Sequence, residues 1–282
     1  MNKNIRGNGV GGGAGDEIGG GRRERVPDGP MLALDTSTTS MTMAVTDGET
    51  VLGERQLLSE RNHSVQLLPE IEALLGGLGL RAKDLRAVAV GRGPGSYTGV
   101  RIGVTVAKTF AWALGIPVYG VSSLEAIALG GWRDALEASP TVRPPAWIVP
   151  ALDGRRGQAY TALFAADAEG AWRRVSADAV LPFREQAEAW LASPDRPGTV
   201  VFAGEVDGAF ADMLDGVAAG SQAVVLRRPW RLAARDIAAA ARLHGAAALV
   251  DDAHDLLPNY TQLAEAEAKL IASAAERARE RE

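Results

Sequence analysis

The hydrophobic pattern switches along the chain between short apolar runs and stretches with helical spacing. The clearest alternation lies between Arg86 and Ile127. Ala87-Val88-Ala89-Val90 is a short run of small and β-branched residues and predicts a buried strand. Gly91, Gly93, Pro94, Gly95 and Gly99 then interrupt regular backbone, because glycine accepts positive φ and proline fixes its own. A helix follows from about Val100 to Leu114, with Val100, Val104, Ala107, Ala111 and Leu114 on one face. Ser96 and Thr98 are candidate caps before it, and Gly115 with Pro117 just beyond stops it. Val118 to Val121 predicts a second strand, and Ser122 or Ser123 caps a further helix carrying Leu124, Ile127 and Ala128. Strand, glycine-rich turn, helix and strand make a βαβ unit.

Upstream, Met31 to Asp35 and Met41 to Thr46 read as strands joined by the hydroxyl-rich turn Thr36-Ser37-Thr38-Thr39-Ser40. Asp47-Gly48 is a two-residue hairpin signal leading into a third strand, Glu49 to Leu58. Asn62 to Leu78 predicts an amphipathic helix with Leu67, Ile71, Leu74, Leu75 and Leu78 at spacings of three and four, and Pro69 kinks it or delays its start. Val65 and Leu68 widen its apolar side beyond one buried stripe; either both faces pack inside the chain or one meets a partner, and spacing alone does not separate the two. Downstream, Gly130 to Pro145 reads as a linker. Ala146 to Leu152, ending at Asp153, and Gln158 to Ala165 read as strands around the turn Gly154-Arg155-Arg156-Gly157, and Trp172 to Ser176 as a short third strand. Helix 183–191, strand 199–204, helix 209–214, strand 223–226 and helix 232–244 complete the second half. Strand, Asp, hairpin thus occurs twice, which predicts an α/β protein built as a degenerate duplication of an RNase-H-like unit, the architecture of the actin-like and Hsp70-like (ASKHA) fold. The expected organisation is a disordered glycine-rich tail over 1–29, one unit over 30–130, a second over 146–250 and a partly helical tail over 251–282.

The chain has 282 residues, 46 % of them hydrophobic, which is enough for a full core. Its net charge of −5 argues against a broadly basic nucleic-acid surface. Cysteine is absent, so there is no disulfide, thiolate metal site or thiol nucleophile. No apolar run approaches a membrane span and the N-terminus has no apolar signal core, so a cytoplasmic protein is expected.

Two places carry candidate chemistry. The glycine-rich turn can present N–H groups to an anion beside a helix N-terminus. However, it matches neither G-x-x-x-x-G-K-[ST] nor G-x-G-x-x-G, and a tight structural turn is the competing reading. Asp35 before a hydroxyl-rich hairpin resembles the first phosphate-binding turn of the actin, Hsp70 and sugar-kinase fold, which makes Asp35, Thr36, Ser37, Gly93, Gly95 and Ser96 candidates for binding a nucleotide. The competing reading is that Asp35 closes the strand end and bonds the hairpin. His63 reads as a capping or partner-bonded residue, since a metal site needs three or four ligands.

The run GRGPGSYTGVRIGVTVAKTFAWALGIPVYGVSSLEA resembles the signature of the bacterial TsaB (YeaZ) family. LALDTSTTSMTMAV, NHSVQLLPEIEALL and ALDGRRGQAY agree with that family in the same order. The resemblance implies the dimerisation subunit of the complex that makes threonylcarbamoyladenosine at position 37 of tRNA. It implies contact with a TsaD-type catalytic subunit through the helices at 62–78 and 99–114, with His63, Leu67, Leu68, Ile71, Leu74, Arg101, Val104 and Lys108 as partner contacts. Arg155 and Arg156 join that set, against the alternative of solvated turn residues. It further implies a TsaE-type ATPase as third component and tRNA contacted indirectly, with homodimer and monomer both open for the chain alone. Leu257-Pro258-Asn259-Tyr260 resembles the family's P-x-Y-L-R element, but Thr261-Gln262 stand where that element has Leu-Arg. The TsaD relative binds its metal through H-x-x-x-H, and those positions here are Ser123 and Ile127. The chain is therefore expected to be non-catalytic and to bind no cofactor alone, with ATP or ADP and a metal entering only in the assembled complex. A kinase or ATPase using Asp35 is the alternative enzyme reading, and a peptidase is a third.

Overall fold

The computed structural model describes residues 26–58, 63–140 and 142–261. The expected glycine-rich tail, up to residue 25, and the terminal helix beyond Thr261 lie outside the described residues. So does Asn62, the expected start of the first helix.

Two sheets are each built from three antiparallel strands followed by parallel ones. In the first half, β1 (Pro30–Asp35), β2 (Ser40–Asp47) and β3 (Thr50–Leu58) form consecutive hairpins. Helix α1 (His63–Gly77) leads to β4 (Ala87–Gly91), α2 (Tyr97–Leu114), β5 (Val118–Val121) and α3 (Ser123–Ala138). The second half repeats the order with β6 (Ala146–Asp153), β7 (Gln158–Ala166), β8 (Trp172–Pro182), α4 (Phe183–Ala192), β9 (Thr199–Gly204), α5 (Ala209–Ala219), β10 (Val224–Pro229) and α6 (Ala234–His244). A short strand, β11 (Leu249–Val250), then pairs with β5. The spatial orders are β3-β2-β1-β4-β5-β11 and β8-β7-β6-β9-β10. Hairpin strands sit on one side and parallel strands on the other in both sheets, with β11 added antiparallel at the edge of the first, so the halves are copies of one RNase-H-like unit.

Strand alternation explains how the layers stack. On the first sheet, Leu32, Leu34, Met43, Val45, Val88 and Val90 point toward α1 and α2. The small side chains Ala33, Ala44, Ala87 and Ala89 point the other way and join a core that also holds α3, α6 and the inner face of the second sheet, including Ile148, Phe164 and Val201. The outer face of the second sheet packs Val149, Leu163 and Phe202 with residues of α4 and α5. The layers run helix, sheet, helix, sheet, helix, with α3 and α6 in the shared middle. Although α6 follows the second unit in sequence, it lies over the first sheet. The Ala234 N–H donates to Thr42 Oγ1 at 2.9 Å, and Arg242 Nη2 donates to Thr46 Oγ1 at 2.6 Å.

Several elements differ from the sequence reading. The expected linker from Gly130 is instead the continuation of α3 through Gly130 and Gly131 to Ala138. Packing explains the two glycines. A Cβ on Gly130 would lie 2.1 Å from Trp230 Nε1, and one on Gly131 would lie 2.3 Å from Ala203 Cβ. They let α3 approach the second sheet and the loop before α6. Strand β8 extends to Pro182, where the sequence reading ended it at Ser176, because it pairs along β7 through two register shifts. Helix α5 continues to Ala219, and β10 runs on to Pro229, because it pairs with β9. Pro69 lies inside α1 and does not delay it.

Candidate functional site

Asp35 ends β1 beneath the glycine-rich turn and is completely buried. Its Oδ1 accepts the Ser37 N–H at 2.6 Å, an Asx-type turn. Its Oδ2 accepts the Ser123 hydroxyl at 2.6 Å, and Ser123 Oγ accepts the Gly93 N–H at 3.0 Å. Burial pushes the Asp35 carboxyl up to about 6, against the pull of the hydrogen bonds from Ser123 and Ser37. Gly91 is required at this spot, since a Cβ there would stand 1.7 Å from Asp35 Oδ2.

The two turns that carry the nucleotide candidates pack against each other. The Ser96 N–H donates to Ser37 O at 2.6 Å, and Thr36 Oγ1 donates to Gly99 O at 2.6 Å. A Cβ on Gly95 would meet Ser37 O at 2.3 Å, and one on Gly99 would meet Thr36 O at 2.0 Å. Ser96 caps α2 by accepting the Gly99 N–H. Of the six candidates, Asp35, Thr36, Ser37 and Gly93 are buried and only Ser96 is exposed. Ser37 Oγ is buried without a partner.

The residues at the positions of the relative's metal-binding pair, Ser123 and Ile127, do not fit a metal. Ser123 Oγ is occupied between Asp35 and Gly93, and Ile127 is buried in the shared core with its Cγ2 beside Gly204. Among the described residues no group of three His, Cys, Asp or Glu side chains could hold an ion.

The predicted partner contacts fall into two sets. Leu67, Ile71, Leu74 and Val104 point into the chain's own core under α1 and α2, so their expected place on an exposed face is corrected. The outward face is formed by Val65, 73 % exposed, Leu68, 53 % exposed, and Tyr97, 43 % exposed. Between the two helices runs a groove of about 400 Å³ lined by Ser64, Tyr97, Thr98, Arg101, Ile102, Thr105 and Val106. Arg101 is exposed at its edge. Its guanidinium lies 4.0 Å from the Tyr97 ring centre, and its Nε donates to Tyr260 Oη at 2.7 Å. Lys108 is tied back to the chain, its Nζ donating to His254 O at 2.8 Å. His63 opens α1. Arg155 and Arg156 are exposed on the β6–β7 turn, both with positive φ, 66° and 53°.

Sequence reading missed the Tyr97–Arg101–Tyr260 stack and a buried cluster around Glu125. Tyr97 stands inside the G-S-Y-T-G run and Tyr260 inside the P-x-Y element, so two aromatics in the most irregular motifs were the available signal. Glu125 accepts from Trp172 Nε1 at 2.9 Å, from Arg174 Nη2 at 3.0 Å, and shares a 2.9 Å hydrogen bond with His244 Nε2. Burial acts to raise the Glu125 carboxyl, but His244 and Arg174 outweigh it and hold it below its ordinary value. The same hydrogen bond raises His244.

Two duplicated RNase-H-like units sharing a helical middle layer, with an Asp-ended hairpin in each, define an actin-like (ASKHA) protein. The comparisons narrow this class. A family model described as TsaD, tRNA N6-adenosine threonylcarbamoyltransferase, matches residues 57–280. The tRNA threonylcarbamoyladenosine biosynthesis protein TsaB of Bacillus subtilis is 37 % identical over 249 residues, 86 % of this chain and 98 % of that protein. TsaB of Escherichia coli is 36 % identical over 151 residues, 54 % of this chain and 62 % of that protein. Among solved structures, YeaZ from Pseudomonas aeruginosa superposes with a TM-score of 0.65 at 27 % identity, covering 82 % of this chain and 99 % of that one. The chain belongs to the TsaB (YeaZ) family.

Proposed function

We propose that this protein is the non-catalytic partner subunit in synthesis of threonylcarbamoyladenosine at position 37 of tRNA, and that it docks on a TsaD-type catalytic subunit through the outward faces of α1 and α2. One observation carries the reading. Both helices already bury one face in the chain's own core, yet Val65, Leu68 and Tyr97 leave a second, apolar face in solvent around a groove. Exposed apolar patches of this kind mark protein interfaces. The relatives named TsaB support the pathway, and Ser123 and Ile127 in place of a metal-binding pair support a supporting role rather than a chemical one. In the assembled complex a threonylcarbamoyl group passes from its adenylate to N6 of the adenosine. A TsaE-type ATPase joins the heterodimer in the cytoplasm, ATP or ADP and the metal belong to the other subunits, and tRNA is met through them. Alone, the chain pairs with a second copy across the same face.

Light scattering on the chain alone and mixed with the TsaD-type subunit of the same organism tests this. The expected result is a 1:1 complex formed at the expense of the chain's own dimer. Leu68→Glu, on the exposed face, abolishes the complex while the chain still folds and melts cooperatively as a monomer. A mixture that stays unassociated, with calorimetric binding of Mg-ATP to the isolated chain that Asp35→Ala removes, overturns the reading in favour of a kinase-like enzyme.

A further inference from the structure

A cavity of about 370 Å³ opens where the ends of β4 and β5, the start of α3, strand β8 and the end of α6 meet. It lies on a different side of α3 from Ser123 and Ile127 and plays no part in the proposed docking face. Five charged or titratable side chains line it: Arg92, Glu125, Arg174, Asp178 and His244.

The acids are fully engaged. Both Glu125 oxygens accept, from Trp172 and His244 on one side and from Arg174 on the other. Asp178 accepts from Arg174 on Oδ1 and from Asn259 Nδ2 at 2.8 Å on Oδ2. Arg92 is the exception: it lines the cavity, and among the described residues no carboxylate pairs with its guanidinium.

The side chain is also held in place. Gly120 lies inside β5 where the Arg92 stem crosses it, and a Cβ there would lie 2.6 Å from Arg92 Cδ and 2.7 Å from Leu256 Cδ1. Glycine inside a strand weakens it and marks a close approach. The Arg92 carbonyl is fixed from the other side, accepting the Asn259 N–H at 2.7 Å. A guanidinium so placed offers the planar fork that matches a carboxylate or phosphate. Ser122, whose Oγ accepts the Glu125 N–H, lines the same cavity with its hydroxyl hydrogen still to give. The volume is at the small end of ligand pockets.

We propose that this cavity binds a small molecule through a single oxyanion head, a carboxylate or a phosphate, seated on the Arg92 guanidinium. The test uses the full chain without its partner, in chloride buffer, titrated calorimetrically with inorganic phosphate in one arm and malonate in the other. One of the two binds saturably, and the arm that does so identifies the head group. Arg92→Gln weakens that binding about ten-fold or more, as expected for a lost charge-assisted hydrogen bond. Arg92→Lys retains a point charge without the fork and weakens it several-fold, which serves if the Gln variant does not fold. Absence of saturable binding in both arms, or unchanged affinity in a folded Arg92 variant, overturns the proposal. Because no partner is present, failure here leaves the docking proposal untouched.

Discussion

Asp35 is a carboxylate sealed from water, and its raised value of about 6 has a consequence with a definite sign. Below pH 3.8 the folded and unfolded chains both hold the proton and the group is neutral in its effect. Between 3.8 and 6 the unfolded chain releases the proton while the folded one keeps it, so stability falls as pH rises. Above 6 the cost is complete, on the order of 3 kcal/mol for a shift of about two units. Asn cannot ionise, so the stability of Asp35→Asn relative to the native chain should rise by about that amount between pH 4 and pH 7.5, as read by urea unfolding at the two pH values. A flat difference would show that Asp35 does not hold its proton. Gly91→Ala should be severely damaging, costing about 4 kcal/mol or more, because the new Cβ collides with the buried, doubly bonded carboxylate of Asp35. Its expected readout is insoluble expression or a collapsed melting transition. The sequence showed Asp35 at a strand end before hydroxyls. It could not show Ser123, which stands 88 positions away and reaches the carboxylate only through the fold.

At the scale of elements, α1 is the informative case. Its periodicity placed Leu67, Ile71 and Leu74 on one face and left Val65 and Leu68 over, but spacing says nothing about which face meets its own chain. The structure settles it, and the consequence is a pair of opposite outcomes. Ile71→Glu buries a charge in the core and should cost about 4 kcal/mol or more, read as a lost thermal transition. Leu68→Glu should change the stability of the monomer, compared at a concentration where the chain does not self-associate, by less than about 0.5 kcal/mol. The βαβ unit around the glycine-rich turn was legible because its punctuation is local: apolar run, glycines, cap, stop. Helix α3 was misread because Gly130-Gly131 is local punctuation with a distant cause. Gly131→Ala should accordingly lower stability by about 1–3 kcal/mol despite alanine's better helix propensity, since the methyl strikes Ala203. Chemical denaturation of the variant checks the sign.

For the whole molecule, the repeated strand–Asp–hairpin pattern made the duplication readable, but the destination of α6 was not. Its alanines 234, 238, 240 and 241 suit any close-packed helix, and only the small inner face of the first sheet explains where they go. Each unit thus lacks a wall of its own. Residues 1–145 expressed alone expose the alanine face of the first sheet and should bind a hydrophobic dye and lack a cooperative transition, whereas the full chain melts in a single step. A cooperative melt of the fragment would show that α6 is dispensable to the first unit.

The segment ending at Tyr260 joins the two surfaces described above. Leu256 is sunk in the core, Asn259 closes on Arg92 and Asp178, and the next residue clamps Arg101 at the rim of the groove. One peptide bond separates the residue that would sense a bound anion from the residue that would sense a docked protein. Thermodynamic linkage then runs in both directions. If occupancy of the cavity alters the grip on Asn259, the affinity at the groove changes by some factor, and docking must alter the affinity for the anion by that same factor.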